Sequence, residues 1–311
     1  MYLTHTFRAL SLFFLGLLST VGGSALAQDA RIEITYERGT DGEYRFSARN
    51  PNACEYTVRI TFSQLQELSC SCSLPYEGSV PPGGGMLFTL KPSNPQARTN
   101  FQYAYTYSRG RALKTAPKEF VYLLPVGVGK STTILPMQYV GELLGKATPT
   151  PFYATGFRLQ PGDTVFAARR GRVVGLRNNT DPVAETMWYT SETNFVEVFH
   201  ADGTFAKYDK LKKSDIWVRE GDFVEAGQLL GRIGGENLSA GPRLAFQVYY
   251  LPSGQLTSTE RRPYQTVQPR FCAQGQEGGA VLTTGQTYAA AYPESILAQE
   301  LSKRELKKRK K

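Results

Sequence analysis

Histidine is almost missing from this chain of 311 residues, occurring only as His5 and His200. Once the first residues are lost, a zinc site needing two or more imidazoles is excluded. Long apolar runs are missing too. Leu10 to Leu18 (LSLFFLGLL) is apolar but spans roughly half of the ~20 residues that cross a bilayer. With Arg8 ahead of it and Ala25-Leu26-Ala27 behind, the segment 1–27 reads as a cleaved export signal. No cysteine follows that site, so a lipid anchor is not expected, and no membrane span is expected elsewhere. The chain is expected in the periplasm or secreted. Cysteine is scarce: Cys54, Cys70, Cys72 and Cys272. In an oxidising compartment these favour disulfides over thiolate chemistry or zinc. Two residues apart on one strand, Cys70 and Cys72 share a face and are poorly placed to pair with each other. Cys54 is therefore expected to bond Cys70 or Cys72, stabilising by about 3 kcal/mol through loop closure. Cys272 is left for the remaining cysteine.

Acidic residues are outnumbered, giving a formal charge of +9. That excess is local. The last nine residues, KRELKKRKK, carry +6 of it, and the body between signal and tail is close to neutral. Such a body is a weak footprint for phosphate backbones, so no nucleic-acid partner is expected. The tail itself suits contact with an anionic surface.

Helical periodicity is also rare. From 28 to 125, RIEITY, EYRFSA, EYTVRITF, MLFTL, FQYAYTY and EFVYLL are rich in β-branched and aromatic residues. Turn chemistry separates them, as at Asn50-Pro51-Asn52 and Pro81-Pro82-Gly83-Gly84-Gly85. This predicts a small immunoglobulin-like sandwich over 28–125, with the alternating tyrosines of FQYAYTY as cross-strand packing. Pro125 and Gly127-Val128-Gly129 suggest a boundary. From 126 to 270 strands and turns continue, with an internal echo: GDTVFAARRGRV (162–173) and GDFVEAGQLLGRI (221–233) repeat the order Gly-Asp-x-Val, spacer, Gly-Arg. That is the half-unit of a barrel sandwich. The rest, 271–311, is an extension. There Pro293 opens a short helix, with Glu300→Arg304 and Glu305→Arg309 at i,i+4 spacing, running into the basic tail.

Four motifs in 137–250 resemble, in order, those of the lysostaphin-type zinc endopeptidases, or LytM domains, metallopeptidase family twenty-three. They are FYATGFRLQPGDTVFAARRGRVV, NFVEVFHADGTFAKYDKL, VREGDFVEAGQLLGRIGG and GPRLAFQV. The resemblance implies a mostly antiparallel β-fold and action on peptide bonds of bacterial peptidoglycan. In that family a zinc ion, held by two histidines and an aspartate, activates water, and two further histidines assist. The ligand positions fall here on Phe152, Gly156 and Ala245, and the assisting positions on Lys210 and Arg243. All five are replaced, and no histidine lies between 126 and 199. His200 matches a family histidine that is not a ligand. Asp163, Asp202 and Asp209 are too scattered to rebuild a tetrahedral site with it. Lipoyl-type carriers share the Gly-Asp-x-Val pattern but need a hairpin lysine that 220–235 lacks. PGGG and GGEN lead to no Gly-Lys-Ser/Thr, and no serine or cysteine nucleophile is framed.

The expectation is an exported pseudo-peptidase with no zinc cofactor and no intact catalytic residues. Its partners would be peptidoglycan stem peptides or a cell-wall hydrolase that it regulates, as degenerate LytM domains activate amidases. Arg243, seconded by Lys210, is the candidate contact for a peptide carboxylate. An active endopeptidase with a non-standard site and a structural envelope protein are the alternatives.

Overall fold

The computed structural model describes residues 31–94, 96–139, 151–181, 193–234, 242–256 and 264–309; the expected signal 1–27 lies outside them. Two compact units result: Met1–Lys114 with Leu251–Pro263, and Thr115–Tyr250 with Tyr264–Lys311. The extension beyond 270 thus shares a unit with the preceding motifs. The fold is mostly β and largely antiparallel, and among the described residues no sheet closes into a barrel.

In the first unit the order of strands is β1 (Glu33–Arg38), β2 (Tyr44–Arg49), β3 (Tyr56–Gln66), β4 (Leu68–Cys70), β5 (Tyr76–Val80), β6 (Gly85–Pro92), β7 (Asn100–Arg109) and β8 (Ala112–Leu113). They form the sheets β1-β2-β6-β4 and β5-β3-β7, while β8 pairs in parallel with Leu251 and Pro252. Period-two alternation points Tyr56, Val58 and Ile60 inward, and all three are buried. Tyr103 and Tyr105 lie opposite Phe62 and Ile60, hence on the same inward face. Their hydroxyls reach the carbonyls of Ile34 and Ile32, at 3.5 and 3.3 Å. Phe46 stacks on Phe88 at 4.7 Å and meets Phe62 and Tyr103 edge-on. The tyrosine stripe is therefore the filling between two sheets.

The expected pairing of Cys54 is corrected. Cys70 bonds Cys72, with Cα atoms 5.1 Å apart; neither Cys54 nor Cys272 takes part in that bond, and both are buried. The alternation that sets i and i+2 side by side holds only within a strand, and β4 ends at Cys70. Beyond it the chain bends, with the Ser71 amide held by Thr89 O, and the two sulfurs can meet. Cys54 precedes β3, in the other sheet, and is 3% exposed.

In the second unit the strands are β9 (Val121–Leu123), β10 (Ser131–Leu135), β11 (Thr155–Arg158), β12 (Thr164–Phe166), β13 (Gly171–Arg177), β14 (Asn194–Phe199) and β15 (Thr204–Ile216). These are followed by β16 (Phe223–Val224), β17 (Leu229–Ile233), β18 (Arg243–Pro252), β19 (Gln265–Val267), β20 (Arg270–Ala273), β21 (Gln276–Ala280) and β22 (Thr287–Ala289). The main sheet runs β16-β13-β14-β15-β18-β11-β10-β22, and a smaller one runs β21-β20-β9.

The sequence echo becomes a crossed pair. β12 pairs β17 and β16 pairs β13, so the first strand of each repeat binds the second strand of the other. Asp163 and Asp222 play the same part in the two turns, accepting the amides of Gln160 and Arg219 at 2.6 and 2.8 Å. The glycines of the two Gly-Arg steps also match. A Cβ at Gly171 or Gly231 would stand 2.5 Å from a carbonyl oxygen, of Phe199 or Asp215, so only glycine admits the crossing. Val165 and Val224 are wholly buried. Tyr208, from the central sheet, locks on by accepting the Ala168 amide at 2.7 Å.

The single C-terminal helix expected after Pro293 is two: α1 (Glu294–Leu297) and α2 (Lys303–Arg309). Ser302 and Glu305 restart the helix as a reciprocal capping box, with contacts of 3.3 and 2.7 Å. The expected i,i+4 pairs give way to longer-range ones. Glu300 forks onto Arg169, Glu305 binds Arg170, and Arg309 binds Glu294. A buried guanidinium demands a counter-charge more strongly than an exposed helix demands an internal pair, and Arg169 is 3% exposed.

Peptide mapping of non-reduced protein should find Cys70 linked to Cys72. Alkylation after unfolding without reductant should label Cys54 and Cys272 alone. Label on Cys70 under those conditions would contradict this arrangement.

Candidate functional site

Along β14, β15 and β18, alternation divides the side chains cleanly. Val196, Val198, Ala206, Tyr208, Leu244, Phe246 and Val248 enter the core. Lys207, Asp209, Arg243, Ala245 and Gln247 therefore share the opposite, outer face. Register adds β11 to it: Gly156 lies opposite Ala245, and Arg158 opposite Arg243. Asp209 lies opposite Ala245 from the other side.

Lys210 reaches this face by an irregularity. Asn194 pairs Leu211 and Phe195 pairs Asp209, which leaves Lys210 as an extra residue on β15. Its φ is +75°, in the left-handed region. The bulge brings its ammonium near Arg243. Burial lowers the Lys210 pKa, the like charges of Arg243 and Lys207 lower it further, and Asp209 opposes them. Burial also depresses Arg243, whose Nε is buried with no hydrogen-bond partner among the described residues. The Asp209 carboxylate is already engaged, by Lys207 Nζ at 3.0 Å, by the Lys210 amide at 2.8 Å, and by the Thr193 hydroxyl.

The three ligand positions are apolar. Phe152 packs edge-on to Tyr139, 5.4 Å between ring centroids, and lines a cleft of about 180 Å3 with Leu135, Met137 and Val281. A Cβ at Gly156 would stand 3.0 Å from the Leu135 Cβ and the Met137 sulfur, so these two fill the space of a larger side chain there. Ala245 offers a methyl group. With no donor at any of the three positions, the residues present do not fit a zinc ion.

Nor do the other acidic and imidazole groups gather into a site. Asp163 pairs Lys130 and Asp202 pairs Arg169. His200 is wholly buried, its Nδ1–H donating to the Arg170 carbonyl at 2.8 Å. Among the described residues no cluster of three His, Cys, Asp or Glu side chains could hold a metal. Arg158 and Lys207, which belong to the outer face, were not among the residues the motifs singled out. Only strand register brings them in.

Residues 151–259 match the family model of peptidase family M23. Among solved structures, the catalytic domain of lysostaphin from Staphylococcus simulans is 25% identical. The match covers 39% of this chain and 77% of that one, at a TM-score of 0.26. Csd3 from Helicobacter pylori is 14% identical over 89% of this chain and 77% of its own, with a TM-score of 0.31. A zinc-containing peptidase from Vibrio cholerae is 14% identical over 70% and 74%, with a TM-score of 0.29. Scores of this size do not define a shared overall arrangement, and the likeness rests on the matched segment. No curated protein matches.

Two outcomes follow. Gly156→Asp should destabilise by about 1–3 kcal/mol through overpacking, and Met137→Ala in the same chain should recover part of the loss. Equal stability of Gly156→Asp and the parent in denaturant would refute the filled-space account. The second concerns pH. Burial, then the Arg169 charge, hold the His200 pKa well below its ordinary 6.5. An unfolded chain takes up a proton near pH 6.5 and the folded chain does not. The contribution of the neutral ring is thus whole above that pH and is lost on acidification, by up to about 1.4 kcal/mol per pH unit. His200→Gln should therefore lose less stability than the parent between pH 7.5 and 5; an identical loss would count against the buried neutral imidazole.

Proposed function

We propose that this chain is an exported pseudo-peptidase of the M23 type that binds peptidoglycan stem peptides without zinc-dependent cleavage. One observation carries the reading. The three metal-ligand positions hold Phe152, Gly156 and Ala245, with Leu135 and Met137 packed where the aspartate would project. The two assisting positions hold cations in place of imidazoles, Lys210 and Arg243. Neither can shuttle protons near neutral pH as imidazole does, whereas both bind anions. No helix among the described residues is long and apolar enough to cross a membrane. Lys303, Arg304, Lys307 and Lys308, all exposed on α2, add a salt-sensitive attraction to an anionic wall.

Purified protein dialysed against a mild chelator should contain far less than one zinc per chain, and its melting temperature should not respond to the chelator. Isolated sacculi should retain the protein and release no muropeptides on incubation with it. Near-stoichiometric zinc or muropeptide release would favour an active endopeptidase, and failure to sediment with sacculi would overturn the binding role.

A further inference from the structure

Among the described residues only Glu67, Lys210 and Ser214 carry a side chain at positive φ; the other positive-φ positions are glycine. A left-handed non-glycine residue costs on the order of 1 kcal/mol, and such strain gathers where a side chain must point somewhere unusual. At Lys210 glycine would satisfy the bulge more cheaply, so the lysine side chain is what the position retains. It follows Asp209, which lies opposite Ala245, two residues from Arg243 along β18, and the Arg243 charge adds to burial in lowering its pKa. Arg158, directly opposite Arg243 on β11, projects from the same face. Among the described residues no carboxylate forms an ion pair with Arg158, Lys210 or Arg243. The acidic group adjoining them, Asp209, is taken by Lys207 and by Thr193. The Arg243 Nε is buried and lacks an acceptor among those residues. Lys210 and Arg243 with their like charges, the unmet buried donor of Arg243, and Arg158 on the same face make a site that an oxyanion completes.

We propose that the face vacated by the zinc ligands is a carboxylate-recognition site. Arg243 is its principal contact, Lys210 supplies a second charge from the bulge, and Arg158 flanks them from β11. The ligand class is a wall peptide bearing a free carboxylate, which rests on the peptidoglycan-binding reading above.

Calorimetry on the full chain at matched ionic strength tests this, using a synthetic stem tetrapeptide as its free acid and with every carboxyl amidated. The acid should bind at least tenfold more tightly than the amide. Arg243→Gln should weaken the acid by about ten- to a hundredfold and abolish the preference. Lys210→Gly should weaken the acid severalfold while leaving the melting temperature equal or higher, because the left-handed backbone is relieved; a purely structural lysine would give unchanged affinity. Equal binding of acid and amide, or binding of neither while sacculi still retain the protein, overturns the carboxylate site and leaves wall binding intact. Loss of sacculus retention by the parent protein overturns the broader reading.

Discussion

Antiparallel pairing of β15 with β18, from Thr204 opposite Tyr250 to Asp209 opposite Ala245, is the constraint on which the second unit depends. A strand cannot turn one side chain inward without turning its neighbours outward. Burial of Tyr208, Phe246 and Leu244 therefore commits Asp209, Ala245 and Arg243 to the other face. The hydrophobic effect that builds the core also builds the candidate site, with no separate energy term. A departure from alternation, the bulge at Lys210, lies close to Arg243, the other assisting position of the family pattern.

Around that sheet the chain is fastened by two devices of different kinds. The crossed repeats are local in chemistry, using two aspartate-capped turns and two glycines without room for a side chain. The ion cluster of Arg169 is long-range. Arg169 sits over the Phe120 ring, 3.6 Å from guanidinium carbon to centroid, and binds both Asp202 and Glu300. Breaking one partner of a buried pair of this kind costs roughly 3–5 kcal/mol, so the C-terminal segment is part of the unit's stability. Tail charge and tail docking are separate matters: Glu300 and Glu305 face the body while the exposed lysines of α2 face away.

On the proposed reading, replacement of the metal ligands extends beyond the ligand side chains. A single substitution would leave a cavity shaped for a metal and its aspartate. Instead Leu135 and Met137 crowd Gly156, and Phe152 joins an apolar cleft with them. Packing has closed where coordination chemistry would have kept an opening, while the neighbouring cations keep a polar surface. On the proposed reading, an apolar ligand position beside a cationic one suits holding a peptide and not polarising its carbonyl.

Much of this was legible in the sequence because it depends on local order. The Gly-Asp-x-Val repeats, the tyrosine alternation of FQYAYTY and the replacement of the five family positions can be read one residue at a time. The first two reappear as crossed strands and an aromatic filling, and register sets Gly156, Ala245 and Arg243 on one face. The differences have a common cause in where elements end. Pairing of Cys70 with Cys72 depends on where β4 stops, and the break between α1 and α2 depends on Ser302 capping a new helix. What the tertiary structure alone decided is proximity across strands. Arg158 beside Arg243, Met137 against Gly156 and Glu300 on Arg169 join residues far apart in the chain. Register, set by burial summed over whole sheets, chooses those neighbours, and a linear pattern of residues carries only its own contribution to that sum.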